Sequence, residues 1–356
     1  MKKRGDNRWT QYYQIQKFVF LLLFIYVYYS SKIFENFFKI SKNLDFPLES
    51  KKNKSNIYFD NIIYKLNFSD INNNKFAILK RTNCPTCGLF SFYNVYLGCI
   101  NKYLSKGYIP IVDMKSFENI YNNYTLLNNN IWELFFEQPF GYTLEEIEKK
   151  AKFKEEKICE SSTEDLRPNE LDIYYSPISI DYWHYFAKKF IPIKKEIIEE
   201  ADTIMKKLFY ESKNILGVKL RGTDYIAMRP GGHPKMPNLK TTITDVKNMD
   251  IKNNYDWIFI SSEDERIKER YINEFKKKIK YLNPKVSINY NYEKPLMITE
   301  NEIIKGNLDY ARNYLLNIII LSKCTDLVTV RCSGAAGIFI LTEGFRNTLI
   351  YNLGLN

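Results

Sequence analysis

From Asn214 onward the chain alternates short apolar runs with longer amphipathic ones, and this alternation restricts the fold more than any other feature. "NILGVKLRG", "YDWIFISS", "TDLVTVRC" and "NTLIYNLG" have the length and composition of buried strands. Between them, "TTITDVKNM", "EDERIKERYINEFKKKI", "DYARNYLLNIIILSKC" and "SGAAGIFILTEG" carry helical spacing. Strands that alternate with helices pack as right-handed parallel crossovers, so a parallel sheet flanked by helices is predicted.

The preceding stretch repeats the pattern less regularly. "KFAILKR" (Lys75–Arg81) reads as a strand; the chain turns on Gly88 into a helix with Gly107 near its C-cap. "YIPIVDM" (Tyr108–Met114) is a second buried strand ending at Asp113. The aromatic segment after it breaks at Pro139 and resumes as a helix capped by Thr143, and Ile191–Ser212 has helical periodicity. A chain of 356 residues accommodates two domains, and the pattern restarts after Ser212. The expected organisation is a hydrophobic segment over 1–40, a polar Asn/Lys-rich stem over 41–74, and α/β domains over 75–212 and 213–356. No internal sequence repeat is visible.

With 45% apolar and 26% charged residues the chain is globular rather than disordered. The formal charge of +11 has two readings, a solvated surface of scattered lysines or an attraction for anionic ligands such as nucleoside diphosphates and acidic lipid heads. It forms no long basic stripe and accompanies no nucleic-acid-binding motif, so no nucleic acid is expected as partner. Cys84 and Cys87 form a C-x-x-C pair, but no second pair completes a zinc site and the context is not thioredoxin-like. A buried thiol pair and a local disulfide remain.

Basic residues precede an uncharged run of 14 residues, Phe18 to Ser31. A bilayer core needs about 20, a span reached if Lys17 and Lys32 snorkel. Tyr26, Tyr28 and Tyr29 suit the interface, and no small-residue cleavage site follows. A single N-terminal membrane anchor is the expectation, and a buried amphipathic helix is the alternative.

Chemistry concentrates in "GVKLRGTDYIAMRPGGHPKMP", Gly217 to Pro237, where Arg221, Asp224 and one of only two histidines, His233, share a glycine- and proline-rich turn. An arginine after an apolar strand stands where open α/β sheets bind ligands, and its planar fork suits a diphosphate. Equally, it is a strand-end arginine paired with Asp224. Asp224 fits a proton acceptor or a turn residue; His233 fits a cleft or an incidental position. Gly222 permits close approach of backbone to phosphate. "SSEDERI" reads as a capping box from Ser262 to Glu265, with a metal site as the competing reading of its acids. In "RCSGAAG", Ser333, Gly334 and Ala335 begin a helix whose amides either hold a phosphate or serve tight strand–helix packing.

Three blocks in order, "GVKLRGTDY…GHP", "IFISSEDERI" and "LLNIIILSKCTDLVTVRCSGAAG", resemble the fucosyltransferase superfamily of α1,6-fucosyltransferases, nodulation fucosyltransferases and protein O-fucosyltransferases. "GLFSFYNVYLGCINKYLSKGYIPIVD" resembles the first strand–loop–helix unit of such enzymes, so the likeness touches about residues 75 to 345. The resemblance implies a GT-B-like architecture of two Rossmann-like domains. It also implies an inverting transfer without metal or cofactor, with GDP-fucose as donor and a glycan or polysaccharide as acceptor. Arg221, Asp224 and His233 would be catalytic, and Lys219, Gly222, Thr223, Asp264, Ser333, Gly334 and Ala335 would hold the nucleotide sugar. Two departures stand out. Lys219 replaces a histidine of the family, and "IAMRP" carries no carboxylate where one branch has a glutamate, so the catalytic base is unassigned. Two alternatives are the same fold with another nucleotide sugar, and a non-catalytic, membrane-anchored glycan-binding protein.

Overall fold

The computed structural model describes residues 71–122, 129–160, 173–174, 177–222, 224–227, 229, 231–282 and 306–356, all within one compact unit, Tyr64–Asn356. The expected anchor, most of the stem and Thr223 lie outside these residues. Among the described residues no helix is long and apolar enough to cross a membrane.

The first layer comprises β1 (Lys75–Lys80), α1 (Leu89–Ser105), β2 (Ile109–Val112), α2 (Trp132–Phe135), α3 (Leu144–Lys150), β3 (Phe153–Ile158), α4 (Pro177–Phe190) and α5 (Lys195–Phe209). Its sheet runs β2-β1-β3, with both pairs parallel. Gly107 stands just past α1 with φ 78°, a conformation that glycine adopts without strain. The Thr143 side chain accepts from the Glu146 amide at 3.1 Å, capping α3 as its sequence predicts. β3 is mostly exposed, and its charged "KEEK" centre suits a sheet edge. Two disulfides brace this layer. Cys84–Cys87 closes the C-x-x-C turn, and Cys99–Cys159 ties α1 to the residue after β3.

The second layer comprises β4 (Ile215–Lys219), α6 (Asp224–Ala227), α7 (Leu239–Asn253), β5 (Trp257–Ser261), α8 (Glu265–Phe275), β6 (Ile279–Lys280), α9 (Leu308–Ser322), β7 (Asp326–Val330), α10 (Ser333–Leu341) and β8 (Asn347–Tyr351). Five parallel strands run β6-β5-β4-β7-β8. Leu216, Val218, Ile258, Ile260, Val328 and Val330 fill one face with Tyr255 and Tyr271. Both parallel sheets match the expectation. Sequence order reverses between β4 and β7, and such a switch point opens a crevice beyond the carboxyl ends of the strands.

The layers meet through α10, which packs on α1 and α4, and through α9 against α5. The second histidine, His184, belongs to this packing, with Nδ1 2.8 Å from the Ile340 carbonyl.

Candidate functional site

The carboxyl ends of β4, β5 and β7 converge on a cluster of Lys219, Arg221, Glu263 and Tyr314. Strand register sets this up. Lys219 ends β4 opposite Ser261 of β5 and Thr329 of β7, so Arg221 and Glu263 lie in the loops just beyond adjacent strands. Lys219 is almost wholly buried, its side chain 5% exposed, and its Nζ lies 3.7 Å from Glu263 Oε2. Arg221 Nε lies 3.5 Å from Glu263 Oε1, and the Gly222 amide donates to the same oxygen at 3.4 Å. Two cations and one carboxylate leave the cluster net positive.

The Gly217–Pro237 motif becomes a stack. Arg221 Cζ sits 4.1 Å from the centroid of the Tyr225 ring. The Tyr225 hydroxyl lies 2.6 Å from His233 Nδ1, with the two rings edge to face. The histidine loop is pinned in turn to the C-terminus: the Lys235 amide donates to the Gly354 carbonyl at 2.9 Å and the Asn356 amide to the His233 carbonyl at 2.9 Å. Arg221 and His233 are therefore brought together through Tyr225, and Glu263 is the described carboxylate beside the guanidinium. Asp224 begins α6.

Tyr314, on α9, joins this cluster to α10. Lys219 Nζ lies 5.5 Å from the centre of its ring. Its hydroxyl sits where a side chain at residue 334 would have to be: a Cβ on Gly334 would come within 2.3 Å of it. Burial pushes that hydroxyl well above its ordinary pKa; Cys332 and Glu263 add to the rise and Arg221 opposes it. The small residues of "SGAAG" thus serve tight packing, and Ala335 is fully buried. The backbone amides of Ser333, Gly334 and Ala335 still form the first turn of α10. The N-cap residue, Cys332, is extended and supplies no side-chain cap. It is fixed by Tyr174, whose hydroxyl donates to the Cys332 carbonyl at 2.8 Å and accepts from its amide at 3.0 Å. A helix start without a side-chain cap favours an anion.

Asp264, rather than Ser262, caps α8. It is the N-cap of α8, accepting from the Arg266 amide at 3.0 Å, and Arg266 grips both its oxygens at 3.0 and 2.7 Å. The capping box from Ser262 is therefore corrected: Ser262 Oγ accepts from the Asp264 amide at 3.2 Å, and the helix begins two residues later. Aspartate caps as well as serine does, and the neighbouring guanidinium favours it. Gly222 is needed for this packing, because a Cβ there would come within 2.4 Å of Asp264 Cβ.

Glu263, Tyr225 and Tyr314 escaped the sequence reading as site residues. Glu263 stands inside a motif that helix capping explains, and Tyr314 is one aromatic in an apolar helix, which sequence alone cannot separate from core.

No family model matches the chain, and no curated protein matches it. Solved structures do. NodZ α-1,6-fucosyltransferase soaked with GDP-fucose is similar at 12% identity and TM-score 0.42, over 76% of this chain and 93% of that one. POFUT1 in complex with GDP is similar at 9% identity and TM-score 0.45, over 79% of this chain and 99% of that one. Fucosyltransferase NodZ from Bradyrhizobium is similar at 12% identity and TM-score 0.44, over 76% and 94%. These three solved structures are of fucosyltransferases.

Proposed function

We propose that the protein is a glycosyltransferase that moves a sugar from a nucleoside diphosphate, GDP-fucose in the leading reading, to a glycan or polysaccharide. The observation that carries this reading is Arg221, held by Glu263 and the Tyr225 ring at the switch point of a parallel sheet, with Tyr314 linking that cluster to a helix start without a side-chain cap. When the glycosidic bond breaks, negative charge grows on the β-phosphate. A guanidinium offers that oxygen two parallel donors and permanent charge. Donors fixed in place before the charge develops stabilise the transition state directly. Ser333, Gly334 and Ala335 would add backbone amides, and Lys219 would add charge from the β4 end. Thr223 would line the same turn. Asp224 and His233 are assigned to the acceptor side of the turn, where proton transfer from the attacking hydroxyl is needed.

The transfer is proposed to be inverting, as the resemblance implies, and to need no metal, because the acids of "SSEDERI" have other partners: Asp264 serves α8 and Arg266, and Glu263 lies between Lys219 and Arg221. Membrane attachment through the N-terminal segment completes the reading. Lys219 in place of a histidine supports a second donor reading, the same chemistry with another base.

Calorimetric titration with GDP, GDP-fucose, UDP and UDP-glucose, with and without EDTA, tests all of this. GDP and GDP-fucose should bind with affinities that chelation leaves unchanged. Binding of UDP in preference to GDP would establish the second donor reading. Binding that EDTA abolishes and manganese restores would end the metal-free mechanism. A protein that takes no nucleotide is not this transferase.

A further inference from the structure

Asn94 lies in the second turn of α1 and is buried, 8% exposed. Its Nδ2 donates to the carbonyl of Ser333 at 3.1 Å, joining the first layer to the start of α10. That bond fixes the orientation of the carboxamide, since only the NH2 group can donate to a carbonyl. The other atom is therefore Oδ1. It is closed off from solvent and has no hydrogen-bond partner among the described residues. A buried acceptor without a donor destabilises a folded protein, and native structures avoid it unless the atom serves a use. The Tyr93 hydroxyl is also buried without a partner, but it belongs to an aromatic stack with Trp132 and Phe136. Asn94 differs in standing at a polar place, on the first residue of α10.

Two complementary features meet there. The first turn of α10 offers donors, which attract an anion. Asn94 Oδ1 offers an acceptor, which attracts a hydroxyl. One ligand that satisfies both carries a phosphate bonded directly to a polyhydroxylated ring. We infer that Asn94 Oδ1 receives a hydroxyl of the donor's sugar while the α10 amides and Arg221 hold its diphosphate. This rests on the nucleotide-sugar reading above and assigns the sugar to the first-layer side of the cleft. Tyr174 fixes Cys332 independently, so the phosphate end should survive loss of Asn94.

The test compares GDP with GDP-fucose, or whichever diphosphate and sugar diphosphate pair binds in the titration above, on the wild type and on Asn94→Ala and Asn94→Leu. Both variants should bind the sugar nucleotide about tenfold more weakly, the usual worth of one hydrogen bond in a dry site, and the bare diphosphate within about twofold of wild type. Equal weakening of both ligands, or of neither, overturns the inference. If neither variant melts cooperatively, the wild type decides alone against GDP-fucose analogues that each lack one sugar hydroxyl. One analogue should lose about tenfold; a uniform series overturns the assignment. A wild type that binds no nucleotide removes the transferase reading and this inference with it.

Discussion

The two ends of the β4–β7 pair both gather charge, and they treat it differently. At the amino end, Asp326 is fully buried. It accepts from the Tyr255 hydroxyl, from Arg346 at 3.1 and 2.9 Å, and from the Asn347 amide and side chain at 3.0 and 3.1 Å. Every lone pair is used at close range, and nothing remains for a ligand. At the carboxyl end, Glu263 stands 3.4 to 3.7 Å from Gly222, Arg221 and Lys219. Those separations exceed the usual 2.7–3.2 Å of an N–H···O bond. One end is a closed lock; at the other, the contacts to Glu263 are longer. A parallel sheet directs function to the carboxyl end and leaves the amino end to stability.

The largest expected effect breaks the lock. Asp326→Ala leaves the buried Tyr255 hydroxyl, the Asn347 amide and the half-exposed Arg346 without their shared acceptor and should cost about 3–5 kcal/mol of stability, read by chemical denaturation. Nucleotide affinity of the protein that remains folded should be unchanged; if it falls in step, the two ends are not independent. The lock also has a pH signature. Burial alone would raise the Asp326 carboxyl, but hydrogen bonds from Arg346, Tyr255 and Asn347 outweigh it and hold the pKa below its ordinary value. A depressed folded pKa contributes stability above the unfolded value of about 3.9 and loses it as pH falls through the folded value. The stability gap between wild type and Asp326→Asn should therefore close as pH falls below about 4.

Arg221→Ala should do the opposite. Turnover should fall about 10² to 10³, roughly 3–4 kcal/mol of barrier, while the melting temperature scarcely moves. Arg221→Lys should be nearly as poor, because an ammonium cannot reproduce the planar fork. An inactive and unfolded variant would make Arg221 part of the fold instead.

Tyr225 sharpens the contrast at the smallest scale. Tyr225→Leu removes the ring face under Arg221 and should slow turnover about fivefold, for an interaction of about 1 kcal/mol. Tyr225→Phe keeps the ring, loses the bond to His233, and should stay within about twofold of wild type. If phenylalanine fares as badly as leucine, the histidine contact holds the arginine and the ring does not.

The parallel sheets, the Gly107 and Thr143 helix ends and the position of Arg221 were legible because each follows from short-range rules, a period or a residue's place after a strand. What joins Arg221 to Glu263, Tyr314 and Asn94 was not legible. Arg221 and Glu263 stand 42 positions apart, and Asn94 and Ser333 239, and such pairs meet only through strand order and helix packing. Asp264 illustrates the remaining failure. Two good capping residues stand two positions apart, and the choice between them fell to Arg266, whose reach is a property of the folded turn.

The Cys99–Cys159 bridge spans 60 residues and encloses β2 and β3. Closing a loop of that length restricts the unfolded chain by about 4 kcal/mol, a large share of the ~5–15 kcal/mol that holds a typical domain together. The second layer's cysteines, Cys324 and Cys332, are both free thiols. The cost of an unoxidised nascent chain therefore falls on one layer alone. Thiol chemistry in the surroundings where the protein matures sets how firmly the first layer is folded, and leaves the sheet that bears Arg221 untouched.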